Sequence, residues 1–274
     1  MQASPEENPM NVIDFQSKKD KKEKISMVTC YDYTAAKILA HTPIDALLVG
    51  DSLAMTMHGQ EHTVTASMDL MVAHTRAVAA SQCPQFIISD MPFLSYRLSR
   101  SKTMQAVGKL MQAGAEAIKL EGADGNLETI AYIVESGIPV MGHIGLTPQF
   151  VHSFGGYRVQ GRDKKLAAKL LAQAKQLEQA GCFAIVLECM PASLAKKITQ
   201  ALSIPTIGIG AGPETSGQIL VWQDLLGMEN DRPIHFVKSY LNGFTQLRDA
   251  LNTYHQEVCS ATYPGPEHCY AETK

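Results

Sequence analysis

Short apolar runs alternate along the chain with longer stretches in which apolar residues recur every three or four positions. The short runs are MVTC (27–30), DALLVG (45–50), QFIISD (85–90), EAIKLEG (116–122), IPVMGHIG (138–145), FAIVLEC (183–189), IPTIGIG (204–210) and QILVW (218–222). Their length and their Val and Ile content predict buried strands. Helices are predicted over SMDLMVAHTRAVAAS (67–81), whose Ser-x-Asp opening suits a cap, and over SKTMQAVGKLMQAGA (101–115). Two more follow: KKLAAKLLAQAKQLEQAG (164–181), ending at glycine, and PASLAKKITQAL (191–202), whose proline fits a first helical turn. The tail reads as a helix, FVKSYLNGFTQLRDALNTYHQEV (236–258), and then a polar end.

Eight strand candidates, each followed by a helix or loop, predict a (β/α)8 TIM barrel, for which about 250 residues is typical. The expected organisation is one barrel domain over residues 1–274, with a polar N-terminal segment and a helical tail. An open doubly wound sheet would carry G-x-G-x-x-G after its first strand. Here the glycine-rich piece, GIGAG (208–212), comes late and is followed by Pro213. It could cradle a phosphate, but a tight turn is the preferred reading.

Composition narrows the function classes. With 274 residues, 45% of them hydrophobic, the chain can bury a full core. A net charge of −3 and scattered Lys and Arg argue against nucleic-acid binding. The one basic cluster, KKDKKEK (18–24), contains two acids and reads as a solvated segment. Six cysteines form no C-x-x-C pair, so reduced thiols and a cytoplasmic location are expected. The start, MQASPEENPMNVIDFQ, is polar and acidic, unlike a signal peptide. No apolar stretch reaches the roughly 20 residues of a spanning helix.

Four of the predicted strands end in acids: Asp51, Asp90, Glu121 and Glu188. In a barrel these ends meet at one mouth. Clustered carboxylates raise one another's pKa unless a cation intervenes, and oxygen ligands of this kind favour Mg²⁺. Asp51, Asp90 and Glu121 could hold such an ion; each acid taken alone could equally be a helix cap. Lys119 and Glu121 share a strand face, which suits an anionic substrate beside a metal, or a structural ion pair inside the barrel. His143, in VMGHIG, is either a hydrogen-bonded core residue or part of the site.

Further stretches carry a resemblance: TCYDYTAAK (29–37), LVGDSLAM (48–55), SDMPF (89–93), AGAEAIKLEG (113–122), GIPVMGHIGLTPQ (137–149), FGGYRVQGR (154–162), VLECMP (186–191), IPTIGIGAG (204–212) and YPGPEH (263–268). In this order they resemble the ketopantoate hydroxymethyltransferase family. The resemblance implies a barrel of the phosphoenolpyruvate/pyruvate superfamily, Mg²⁺ or a similar divalent ion, 5,10-methylenetetrahydrofolate as co-substrate and a homo-oligomer, often a decamer. It implies metal ligands at Asp51, Asp90 and Glu121. Contacts to a branched 2-keto acid are implied for Asp51, Ser52, Asp90, Lys119 and His143, and a proton acceptor at Glu188. The implied reaction moves a one-carbon unit to 3-methyl-2-oxobutanoate, giving ketopantoate, the first committed step of pantothenate biosynthesis. Two departures stand out: Ala54 replaces an expected glycine, and QEHTVTAS (60–67) replaces the usual D-S-T-L-P-V-T, without its proline. A Mg²⁺-dependent C–C lyase of the same superfamily and a non-catalytic binding protein are the competing readings. The first lacks a reactive cysteine motif here, and the second would have lost one of the acids.

Overall fold

Eight parallel strands close into a barrel in sequence order, the last pairing with the first. The computed structural model describes residues 9–229 and 234–271. Its elements begin with α1 (Val12–Asp20), β1 (Ile25–Thr29), α2 (Tyr33–Leu39), β2 (Ala46–Val49), α3 (Leu53–Thr56), α4 (Met68–Ala79) and β3 (Phe86–Asp90). They continue with α5 (Arg100–Gln112), β4 (Ala117–Lys119), α6 (Leu127–Glu135), β5 (Val140–Gly145), α7 (Val151–Phe154) and α8 (Lys164–Gln179). The last are β6 (Ala184–Glu188), α9 (Ala192–Ala201), β7 (Thr206–Ile209), β8 (Gly217–Leu220), α10 (Trp222–Leu225) and α11 (Gly243–Cys259). The first compact unit runs to Val221 and holds the whole barrel; a second begins at Trp222. Among the described residues no helix is long and apolar enough to cross a membrane.

All eight predicted strands form; most are trimmed by a few residues, while β1 and β8 begin two and one residues earlier than predicted and also end sooner. β4 stops at Lys119, so Glu121 lies just beyond the strand rather than on it. Inward side chains such as Met27, Leu48, Ile88, Met141, Val186 and Ile207 fill the cylinder as one core. It is therefore a packed interior and not a pore.

The N-terminal segment departs from expectation. Residues 12–20 form a helix, and only part of the basic cluster is solvated. Asn11 caps this helix: its side chain accepts from the Ile13 N–H, and its own N–H donates to Asp14 at 2.9 Å. Lys19 is half-buried and donates to the carbonyl of Leu202 (2.8 Å), the residue that caps α9, and to that of Ile204 (2.6 Å) in the loop beyond it. α1 stoppers the barrel floor. Its fully buried Phe15 meets the rings of Phe86 and Phe183 edge-on, with centroids 5.7 and 5.2 Å away.

The tail differs too. Helix α11 starts at Gly243 and not at residue 236. The backbone N–H groups of Tyr240, Gly243 and Phe244 donate to carbonyls of Leu225, Leu226 and Gly227. They are committed to that turn, and a Cβ at Gly243 would come 2.6 Å from the Leu226 carbonyl.

Replacing Phe15 by Ala should cost about 3–5 kcal/mol, as expected for emptying an aromatic site in a close-packed core. Urea unfolding followed by circular dichroism measures it; a loss under about 1 kcal/mol would mean α1 is not integral to the barrel floor.

Candidate active site

The strand ends opposite α1 carry the charge. Gly50 ends β2 and turns the chain so that Asp51 and Ser52 face the mouth; a Cβ there would meet Ser52 Oγ at 2.9 Å. The Asp51 N–H donates to Asp90 Oδ2 at 3.0 Å, tying the ends of β2 and β3 together. Ser52 Oγ lies 2.8 Å from the Tyr31 hydroxyl. Lys119, the last residue of β4, places Nζ 3.0 Å from Asp90 Oδ1 and 3.9 Å from Glu121 Oε1.

His143, on β5, sits between two carboxylates. Its Nδ1 is 3.4 Å from Glu121 Oε1 and its Nε2 is 3.2 Å from Glu188 Oε2, at the tip of β6. Lys119 Nζ is also within 3.3 Å of Nδ1, so that nitrogen faces a carboxylate and an ammonium at once. The Glu188 contact is one of charge rather than a well-aligned hydrogen bond. Gly145 makes this approach possible. It holds φ at +101°, and a Cβ there would lie 2.2 Å from the Glu188 carbonyl.

Gln149 joins the two sides. Its Nε2 donates to Asp51 Oδ2 at 2.8 Å, and its backbone N–H donates to Glu121 Oε2 at 3.0 Å. The Tyr96 hydroxyl donates to Gln149 Oε1 at 2.7 Å and fixes which way the amide faces. Gln149 lies in the GLTPQ stretch and Tyr31 in TCYDYTAAK, but residue type and spacing assign neither a role. Nothing in residue type alone marks an amide as the bridge between two acids. The seven residues singled out for chemistry, Asp51, Ser52, Asp90, Lys119, Glu121, His143 and Glu188, all line one cavity of about 110 Å³.

The electrostatics follow from burial. Asp51 is pushed well above the usual carboxylate range, first by desolvation and then by Asp90 and Glu121. Desolvation also raises Asp90, although Lys119 opposes it. Burial works against the charged form of Glu121, yet the His143 contact and Lys119 outweigh it and lower its pKa. For His143, burial and Lys119 disfavour the cation, but Glu121 and Glu188 win and lift it to about 9. Lys119 is raised despite burial, because Asp90, Glu121 and Asp51 surround it. Four acids thus face one lysine and one imidazole, and negative charge is in excess.

That excess, and donors that are all oxygen, fit a hard divalent cation at Asp51, Asp90 and Glu121. Among the described residues, no three acid, His or Cys side chains already stand as a metal-binding set. Their oxygens are turned instead toward Lys119 and Gln149.

Residues 9–266 match the model of a family described as ketopantoate hydroxymethyltransferase. The chain belongs to this family. Curated relatives agree with the ketopantoate hydroxymethyltransferase match. A Francisella tularensis subsp. novicida protein named 3-methyl-2-oxobutanoate hydroxymethyltransferase is 57% identical over 260 residues, covering 95% of this chain and 98% of its own. Proteins of the same name from Bdellovibrio bacteriovorus and Coxiella burnetii are each 54% identical, covering 95% of this chain and 99% of theirs. Solved structures at much lower identity share the barrel. A phosphonopyruvate hydrolase complexed with oxalate and Mg²⁺ matches with a TM-score of 0.61 at 11% identity, covering 94% of this chain and 93% of its own. A 2,3-dimethylmalate lyase of the PEP mutase/isocitrate lyase superfamily matches at 0.56 and 14%, covering 96% and 91%. At that distance the likeness is one of fold alone.

Proposed function

We propose that this chain catalyses hydroxymethyl transfer from 5,10-methylenetetrahydrofolate to 3-methyl-2-oxobutanoate, giving ketopantoate for pantothenate biosynthesis. The observation that carries the reading is the meeting of Asp51, Asp90, Lys119, Glu121, His143 and Glu188 in one cavity, in a chain 57% identical to a relative with that name. Asp51, Asp90 and Glu121 would hold Mg²⁺. When bound, the cation would draw electron density from the keto acid's oxygens and so acidify its C3 proton.

The chain's own residues do the rest. Lys119 offers its ammonium to the substrate carboxylate, and Ser52, steered by Tyr31, adds a hydrogen bond. Glu188 takes the C3 proton; its side chain is 16% exposed, the least enclosed of the four acids. His143 holds Glu188 in place through the 3.2 Å contact. One C–N bond of the methylene bridge opens, water adds to the resulting iminium carbon, and the second C–N bond breaks to release tetrahydrofolate. C3, its C–H bond broken, then attacks the freed one-carbon unit; the C–C bond forms as the carbon–oxygen double bond opens, and the oxygen takes a proton to become the new hydroxyl. A homo-oligomer, decameric by resemblance, belongs to the same reading. Support comes from α11, where Phe244, Leu247, Leu251, Tyr254 and Val258 recur at spacings of three and four and are 37–67% exposed.

Three measurements test this. Enzyme given both substrates should form ketopantoate with Mg²⁺ and lose that activity on chelation; no product under either condition would sink the assignment. Enzyme given Mg²⁺ and 3-methyl-2-oxobutanoate in D₂O should exchange the C3 proton without folate, and Glu188→Gln should slow this by about 10²–10⁴-fold. Exchange at the wild-type rate would move the base elsewhere, His143 first. Light scattering should give a mass several times the 29.8 kDa of one chain; a monomer would contradict the assembly.

A further inference from the structure

One polar atom of the cavity stands apart. Thr63 opens a 3-10 turn, Thr63–Thr65, in the loop after β2, and this turn packs against α3 and against the turn Pro148–Phe150. The Thr63 side chain lines the same cavity as the acids and is 2% exposed. Its Oγ1 is buried and has no hydrogen-bond partner among the described residues. Asp90 Oδ1 and His143 Nε2 differ from it, since each lies close to an opposite charge, at 3.0 and 3.2 Å. Buried hydroxyls are almost always satisfied, so an isolated one that faces a cavity points to a partner that arrives with a ligand.

What that partner is follows by elimination, and the step rests on the function proposed above. 3-Methyl-2-oxobutanoate presents a carboxylate, a keto oxygen and an isopropyl group. Its oxygens are answered by Lys119, Ser52 and the cation site. Its isopropyl group is matched by the apolar wall, where Leu48, Val186, Ile209 and Ile219 line the cavity. The substrate therefore leaves Thr63 unpaired. Ketopantoate adds one hydroxymethyl group, and a hydroxyl both donates and accepts, as Thr Oγ1 does.

We propose that Thr63 Oγ1 hydrogen-bonds the hydroxymethyl oxygen of ketopantoate, and so is the residue by which the site tells product, and the carbon unit being added, from the keto acid. Thr63 lies inside QEHTVTAS, the stretch where the chain departs from the family's usual loop. The contact is made from the loop, whereas the acids and lysine come from the barrel rim. Recognition of the added carbon unit is thus separated from the groups that activate the acceptor.

Calorimetric titration of the Mg²⁺-loaded enzyme with each ligand tests this. Thr63→Val keeps the shape and removes the hydroxyl; Thr63→Ser keeps the hydroxyl; Thr63→Ala removes it without any risk of overpacking. Ketopantoate should bind about five- to tenfold more weakly to the Val and Ala variants and within about twofold of wild type to the Ser variant. 3-Methyl-2-oxobutanoate should bind all four proteins within about twofold, which also reports that they fold. Equal losses for both ligands would make Thr63 a support of the loop and overturn the proposal, as would no loss for either. Wild-type enzyme that binds neither ligand would overturn the functional reading itself; wild-type enzyme that binds both, beside unchanged variants, overturns Thr63 alone.

Discussion

Everything at the mouth depends on how four carboxylates are held in a space from which water is largely excluded. A single lysine cannot neutralise them, and each acid is kept by a different device. Asp90 has Lys119 at 3.0 Å and the Asp51 N–H at 3.0 Å. Glu121 has His143 and the Gln149 N–H. Among the described residues Asp51 has the Gln149 amide as its side-chain partner, and burial beside Asp90 and Glu121 drives its pKa well above the usual carboxylate range. Removing one member of such a set leaves a buried charge unanswered, and this is why buried ion pairs are costly to break. The barrel rim supplies fixed positions for the charges, because strand ends tethered on both sides cannot drift apart to relieve the repulsion.

Much of this was legible in the sequence, for a physical reason. A parallel barrel buries its strands on both faces, so they read as near-continuous apolar runs, and an acid at the end of such a run is conspicuous. Asp51, Asp90, Glu121 and Glu188 were visible in that way, and closure of the sheet brings them together. Lys119 was visible because a charge inside a strand demands a partner. Less legible were the groups that reach the site from loops. Gln149 and Thr63 are ordinary polar residues until the fold sets them against a carboxylate or a cavity, and no periodicity announces that. The glycine at 145 had to be small to let Glu188 approach, but in the sequence it was one glycine among 20.

The errors have physical causes as well. α1 carries only three apolar residues, Val12, Ile13 and Phe15, and Ile13 faces solvent at 78% exposure. Its stability comes from one buried ring and a capping box, neither of which gives a helical stripe. In the tail, the apolar pattern continued through 236–242, but the backbone N–H groups had been claimed by the turn at 225–227. Helical periodicity describes side chains, and a segment whose amides are already used cannot extend a helix through them.

The aromatic stopper beneath the barrel has a consequence for how this protein can change over time. Among the described residues, the ring cluster at the floor and the carboxylates at the rim share no hydrogen-bond or ion-pair partner. Substitutions that are well separated and share no partners combine almost additively. A lineage moving to a hotter habitat can therefore tighten the floor, around Phe15, while the destabilising crowd of acids above it stays as the chemistry requires. Durability and turnover become separately adjustable traits, each written at its own end of the cylinder.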